Sequence, residues 1–239
     1  MNRWLAGTGR GRYGLAMDWV SQIADPERRL ALSYALRGSR QPLALLWALD
    51  ERLGAIVAAT REEALGQIRL AWWRDALAAL AEGAPAGEPL LEALHEEVRA
   101  GRLAPPELAR LPEGWTALLA PLPLDAAMLQ FYAAERGAAL FALSAAILGA
   151  TYSSVESAGS AWALIDLGAR VSDTRTAEAA RVHAGEYLSA VDQRRWPRPL
   201  RALSVLTALA RHDQRAGFPR RQGAPRRLAI ALKAGMLGR

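Results

Sequence analysis

The chain lacks several residue types and patterns that common functional sites require. Its 239 residues include no cysteine, which excludes disulfide bonds, thiolate zinc sites and a cysteine nucleophile. The histidines His95, His183 and His212 lie far apart without the spacing of a helical zinc site, which argues against a histidine-based metal centre. No Gly-x-Ser-x-Gly sequence occurs, so a serine hydrolase elbow has no support.

Strand patterns are also nearly absent, whereas helix signals recur along the chain. Asp25 precedes Pro26, which predicts a helix with an aspartate N-cap and proline in its first turn. Thr60 and Glu63 have the spacing of a capping box at the start of another helix. Breaks rich in proline and glycine leave about nine or ten helices joined by short loops. The sequence therefore predicts an all-α protein.

The net charge of +6 is unevenly distributed. Residues 194–239 carry twelve cationic side chains against the single acid Asp213, a net +11, which leaves −5 for residues 1–193. Two interpretations stay open. Such a tail attracts anionic partners, or it reflects an arginine-rich composition with solvated helix faces, which the presence of only one lysine, Lys233, among thirty basic residues favours.

The end of this tail, "RRLAIALKAGMLGR", alternates apolar and basic residues, which favours an anionic membrane surface over nucleic acid as its partner. The first 19 residues lack the apolar stretch of a secretory signal. We expect one domain over residues 1–239, with a flexible arm at 1–12 and a basic C-terminal segment at 218–239. The expected location is the cytoplasm, with peripheral attachment to the inner membrane.

In a helical chain, two carboxylates four residues apart can bring hard oxygen ligands to Mg²⁺. No aspartate here is followed by another four positions later. Glu92 and Glu96 have this spacing, but the amphipathic pattern around them indicates a solvated helix face.

The segment "LGQIRLAWWRDAL", residues 65–77, contains two adjacent tryptophans beside fixed charges. On a helical wheel two adjoining apolar stripes appear, one made of Leu65, Ile68, Trp72 and Ala76 and the other of Leu70, Trp73, Leu77 and Leu80. This wide apolar arc predicts a helix wedged between neighbours. The flanking charges are interpreted either as ion pairs at the rim of the core or as an anion site at a cavity rim: Arg69, Arg74 and Asp75.

Residues 25–77, with the stretches "DPERRLALSYAL", "WALDERLGAIVAAT" and "EALGQIRLAWWRDAL", resemble the N-terminal half of the squalene/phytoene synthase family, in particular its short bacterial members. A fainter likeness returns in "GSAWALIDLGARVSD". The resemblance implies the isoprenoid synthase fold, a helical bundle around a central apolar cavity. It also implies two aspartate-rich motifs that bind Mg²⁺-diphosphate and a head-to-head condensation of two prenyl diphosphates.

The chain departs from both motifs that the resemblance implies. The first should supply Asp-x-x-x-Asp around residues 50–55, but Asp50 and Glu51 are followed by "RLGA". The second should supply an asparagine and then two aspartates four apart. Here Asp166 stands at the asparagine position, and Arg170 and Thr174 replace the aspartates, with Asp173 adjacent.

Two functions follow from the resemblance. The first is a degenerate, non-catalytic relative without a cofactor, which binds an isoprenoid or lipid or acts through an unknown protein partner, as in a family branch implicated in respiratory-complex assembly. Its candidate residues for substrate or anion binding are Arg52, Arg69, Trp73, Arg74, Asp75 and Arg170. The alternative is an active prenyltransferase acting on isoprenoid diphosphates. Its Mg²⁺ ligands would be Asp50, Glu51, Asp166 and Asp173.

Overall fold

A computed structural model describes residues 17–192 and 194–239. These residues are 73% helical and contain no strand, which confirms the predicted all-α, isoprenoid synthase-like fold. The arm predicted at residues 1–12 lies outside the described residues.

The helices follow one another with short connections. Their bounds are α1 (Trp19–Gln22), α2 (Pro26–Leu32), α3 (Arg37–Ala59), α4 (Glu63–Ala78), α5 (Pro89–Arg99), α6 (Pro105–Thr116), α7 (Ala126–Tyr132), α8 (Ala139–Leu148), α9 (Val155–Gly168), α10 (Thr174–Ala190), α11 (Arg201–Ala216) and α12 (Pro225–Leu237). A π-helical turn, Ala133–Ala138, joins α7 directly to α8, and 3₁₀ turns occupy Ala117–Leu119 and Arg198–Leu200.

The continuous helical segment Ala126–Leu148 lies at the centre of the fold against α9. Its length and mean hydropathy of 1.3 would suffice to cross a membrane, but 67% of this apolar window is buried within the protein, as in the core helix of a soluble domain. The two helices approach closely at Gly137 and Gly159. A Cβ at Gly137 would lie 2.5 Å from the carbonyl oxygen of Gly159, so only glycine fits at this crossing.

Two local predictions about helix starts have different outcomes. The aspartate cap is confirmed, because Oδ1 of Asp25 accepts hydrogen bonds from the backbone N–H groups of Glu27 and Arg28 at the start of α2. The capping box of Thr60 is wrong. Its hydroxyl donates instead to the carbonyl of Ile56 in the preceding helix, and no side chain caps α4.

Helix α4 also corrects the prediction that it is wedged between neighbours. The stripe of Leu70, Trp73 and Leu77 is buried, with Trp73 only 4% exposed, whereas Ile68 and Trp72 are 65% and 48% exposed. The neighbouring helices cover only one of the two apolar stripes. The adjacent indoles therefore lie in different environments, with Trp73 in the core and Trp72 at the surface.

The C-terminal helix α12 is tied to the beginning of the described chain by a buried ionic group. Arg227 makes a two-pronged contact with the carboxylate of Glu27 in α2, at 2.7 and 2.8 Å, and also contacts Asp213 in α11. The single acid of the basic tail is thus used to hold α12 in place.

Candidate functional site

Helices α2, α3, α6 and α9, the segment from α7 through the π turn, and the segment between α11 and α12 surround a cavity of about 710 Å³. Much of its wall is apolar, with Val57, Leu118, Leu122, Leu124 and Leu167 among the lining residues. The wall also carries eight charged side chains: Asp25, Arg28, Asp50, Glu51, Arg136, Asp166, Arg170 and Arg220.

Asp50 lies on the inner face of α3 and is fully buried. Arg136 donates two hydrogen bonds of 2.9 Å to Asp50, one to each carboxylate oxygen. Arg28 donates to the same carboxylate at 2.5 Å, and the indole N–H of Trp115 donates at 2.9 Å. Burial alone would raise the pKa of Asp50, but the charges and hydrogen bonds of the two arginines outweigh it, and the pKa falls from 3.8 to about 2. This carboxylate is therefore held ionised.

Gly54 occupies the position four residues after Asp50, where the implied motif would place its second aspartate. The indole of Trp115 covers this glycine so closely that a Cβ would lie 2.7 Å from a ring carbon. Trp115 thus fills the space of the missing carboxylate and also donates a hydrogen bond to the remaining one.

Asp166 lies on α9 and forms one side, or bank, of the cavity, opposite the bank formed by Asp50 on α3. Arg136 donates to its Oδ2 at 3.0 Å, while Arg170 and Arg220 donate to its Oδ1 at 2.9 and 3.1 Å. Burial opposes ionisation here too, yet the three arginines hold the pKa of Asp166 far below its ordinary value. Arg170 also reaches Asp25 at 3.4 Å, which links this bank to the start of α2.

Arg136 connects the two banks and is itself completely enclosed. The π turn places it there, since that turn interrupts the α-helical register between α7 and α8. Its guanidinium lies 4.1 Å from the ring centre of Trp115, 4.8 Å from that of Trp162 and 5.3 Å from that of Tyr132, within cation–π range. It also donates to the Tyr132 hydroxyl. Burial acts to lower the pKa of Arg136, but its carboxylate partners hold it well above the ordinary value.

The comparison with known families agrees with this architecture. A family model described as squalene/phytoene synthase matches residues 22–195, most of the chain. The chain belongs to the squalene/phytoene synthase family. No curated protein and no solved structure gives a significant match. The family in general binds isoprenoid diphosphates, and the cavity lies within the matched region apart from the residues contributed by the segment before α12.

The residues present do not fit the Mg²⁺ ions that family membership implies. Magnesium needs free oxygen ligands in near-octahedral arrangement, but all four carboxylate oxygens of Asp50 and Asp166 accept hydrogen bonds from arginine or tryptophan. Over residues 17–192 and 194–239, no three acidic or histidine side chains are placed to share a metal ion.

The other two candidate ligands stabilise local structure. Glu51 lines the cavity, but its carboxylate accepts from the backbone N–H groups of Ala24 and Asp25, at 2.8 and 3.2 Å. Asp173 is the N-cap of α10, where it accepts from the N–H of Thr176 at 2.7 Å, and it is not part of the cavity wall.

The structure separates the six candidate residues for anion binding. Arg170 lines the cavity, whereas Arg52, Arg69 and Trp73 line a second, open groove of about 530 Å³ between α3 and α4. Within that groove Arg52 is paired with Glu88 at 3.2 Å. The remaining pair lies outside both linings, where Arg74 and Asp75 contact each other at 2.9 Å on the surface. These side chains therefore do not form one site.

Sequence reasoning missed the residues that organise the cavity. Their shared property is that they serve partners distant in sequence: Arg28, Trp115, Arg136 and Arg220. One signal was available for Arg136, because it and Glu135 are the only charged residues within the apolar segment 126–148. An arginine inside such a helix needs a buried counter-charge.

Proposed function

We propose that this family member does not condense prenyl diphosphates and instead binds an isoprenoid or lipid in its cavity. The observation that carries the proposal is the bridge of Arg136 between Asp50 and Asp166. These two carboxylates stand in the two aspartate-rich motifs that the resemblance implies, and a guanidinium lies between them. The retained apolar wall supports a role in binding.

A metal ion could reach the two carboxylates only if Arg136 were displaced. The side chain is 1% exposed and is packed among three aromatic rings, so it could leave the two carboxylates only by breaking these contacts. Separating a buried charge from its counter-ions costs several kcal/mol, on the order of 3–5. Mg²⁺, which gives up its own water reluctantly, would have to offset this cost.

The test is an assay for pyrophosphate release. The purified full chain is incubated with farnesyl or geranylgeranyl diphosphate and Mg²⁺, with an active synthase of the family measured in parallel. We expect no release above the no-protein blank. Chelator-sensitive release would instead support the alternative, an active prenyltransferase that collects Mg²⁺ on Asp50, Glu51, Asp166 and Asp173.

We also propose that α12 attaches the protein peripherally to an anionic membrane. In a cytoplasmic protein, this membrane would be the inner membrane. Leu228, Leu232 and Met236 form one exposed stripe along this helix. Arg226 and Lys233 are exposed beside it. An apolar stripe flanked by cations is the pattern of helices that lie in the lipid headgroup region.

Flotation with vesicles tests this attachment. We expect binding to vesicles containing phosphatidylglycerol, weaker binding at high salt, and loss of binding in a Leu232→Asp, Met236→Asp variant. The matched control is Ile68→Asp, Trp72→Asp, which alters an equally exposed apolar pair on α4. Equal flotation of the α12 variant and the unaltered chain would reject the proposal. Point substitutions are required because deleting residues 218–239 would also remove Arg227 from Glu27.

A further inference from the structure

The charges in the cavity wall balance. Four guanidinium groups, from Arg28, Arg136, Arg170 and Arg220, face four carboxylates, from Asp25, Asp50, Glu51 and Asp166. The charged lining residues therefore sum to zero, in spite of the strongly basic C-terminal part of the chain.

Each of the four cations in the wall is also paired. Arg28 is bound to Asp50, Arg136 to both Asp50 and Asp166, and Arg220 to Asp166. The remaining one, Arg170, is half exposed at the cavity mouth, but it contacts both Asp166 and Asp25. A diphosphate entering this cavity would meet guanidinium groups whose charge is already neutralised and would also approach the carboxylates that neutralise them. The wall would therefore provide few favourable charge interactions to offset the cost of removing water from the diphosphate.

The uncharged part of the wall suits a different head group. Tyr132 is buried at the cavity, and its hydroxyl oxygen accepts a hydrogen bond from Arg136. The hydroxyl proton has no acceptor in the described chain, so it can donate to an alcohol or carbonyl oxygen. The apolar side chains Leu118, Leu122 and Leu124 offer contacts for a hydrocarbon chain.

We infer that the cavity takes a prenyl lipid with an uncharged head, such as a prenyl alcohol, and discriminates against the diphosphate of the same chain. This inference rests on the proposed non-catalytic binding function and specifies its ligand class. It also argues against the prediction that Arg170 binds an anion, because Asp166 and Asp25 already neutralise the charge of this arginine.

Farnesol and farnesyl diphosphate provide the direct comparison, since they differ only in the head group. Equilibrium dialysis with tritiated farnesol, in buffer containing EDTA, measures its retention by the full chain. Unlabelled farnesol and farnesyl diphosphate then compete for the same site. We expect the diphosphate to compete about tenfold more weakly or worse, which corresponds to one uncompensated charge interaction.

A variant that adds charge without disturbing the ion pairs tests the cause. Ala58 lines the cavity, is exposed and belongs to neither the ion pairs nor the proposed hydrocarbon contacts, so Ala58→Lys places one new cation at the cavity mouth. Competition by the diphosphate should improve about two- to fivefold, as for one partly exposed ion pair, while farnesol binding stays the same. The matched control is Val182→Lys, at an exposed position on α10 away from the cavity wall, which should change neither.

The outcomes separate this inference from the proposed function. Tighter binding of farnesyl diphosphate than of farnesol without Mg²⁺ would overturn the inference and leave non-catalytic binding intact. Retention of neither compound would overturn the inference and the isoprenoid part of the proposed function. Pyrophosphate release in the separate assay would overturn the proposed function whatever the ratio of the two affinities.

Discussion

Replacing Arg136 by methionine tests the ionic bridge most directly. Methionine keeps most of the apolar volume but removes three hydrogen bonds to Asp50 and Asp166. Removing one partner of a buried ion pair typically costs about 3–5 kcal/mol, because the other charge stays buried with less compensation. We expect the lower part of that range, since Asp50 keeps Arg28 and Asp166 keeps Arg170. For a chain of this length, the melting temperature should fall by roughly 6–12 °C.

Urea denaturation followed by far-UV circular dichroism measures this loss, and Arg110→Met is the matched control. Arg110 contacts Glu135, the residue before Arg136, but its side chain is 39% exposed, so its replacement should cost less than about 1 kcal/mol. Adding Asp50→Asn to the Arg136 variant should increase the loss, because the buried Arg28 then also loses its carboxylate partner. Equal, small losses for Arg136→Met and Arg110→Met would refute the claim that the arginine holds the two banks together.

Three further changes in stability follow from the structure. The pKa of Asp50 is lowered to about 2 in the folded chain, so its ionised carboxylate should contribute on the order of 2 kcal/mol to the free energy of unfolding above about pH 4. This contribution should disappear as the pH falls towards 2. Urea midpoints measured across this range should therefore fall less for Asp50→Asn than for the unaltered chain. Gly137→Ala should cost about 1–3 kcal/mol by forcing α9 away, whereas Gly38→Ala, with nothing within 4 Å of its Cβ, should be neutral or stabilising in the same assay. Trp73→Ala should lower the free energy of unfolding by about 3–5 kcal/mol and Trp72→Ala by much less, and similar losses would contradict their different burial.

The features that the sequence predicted well depend on a few neighbouring residues. The start of α2 follows from Asp25 and Pro26, whose capping chemistry acts within a single turn. The all-α class follows from many such local signals. By contrast, the wheel of α4 identified its apolar stripes but not which of them is covered, because that depends on where the other helices lie.

The candidate site was also predictable only where its residues could be identified locally in the sequence. Asp50 and Asp166 were identified from the resemblance and do line one cavity. The contact of Arg136 with Asp50 joins residues 86 positions apart, and it requires a π turn that no local pattern of the sequence indicates. The sequence therefore showed where the chain departs from the implied motifs, but it did not show which side chains contact Asp50 and Asp166.

The contact between Arg227 and Glu27 joins residues 200 positions apart. During synthesis, helix α2 leaves the ribosome long before its partner, so Glu27 has no cation from α12 while most of the chain is being made. Closing such a distant contact carries a large loop entropy, and the segments between must first be ordered. We therefore expect α12 to dock late in folding, so that a nascent chain that stalls before this helix exposes the carboxylate of Glu27 without Arg227, together with the surface of α2 and α11 that α12 covers.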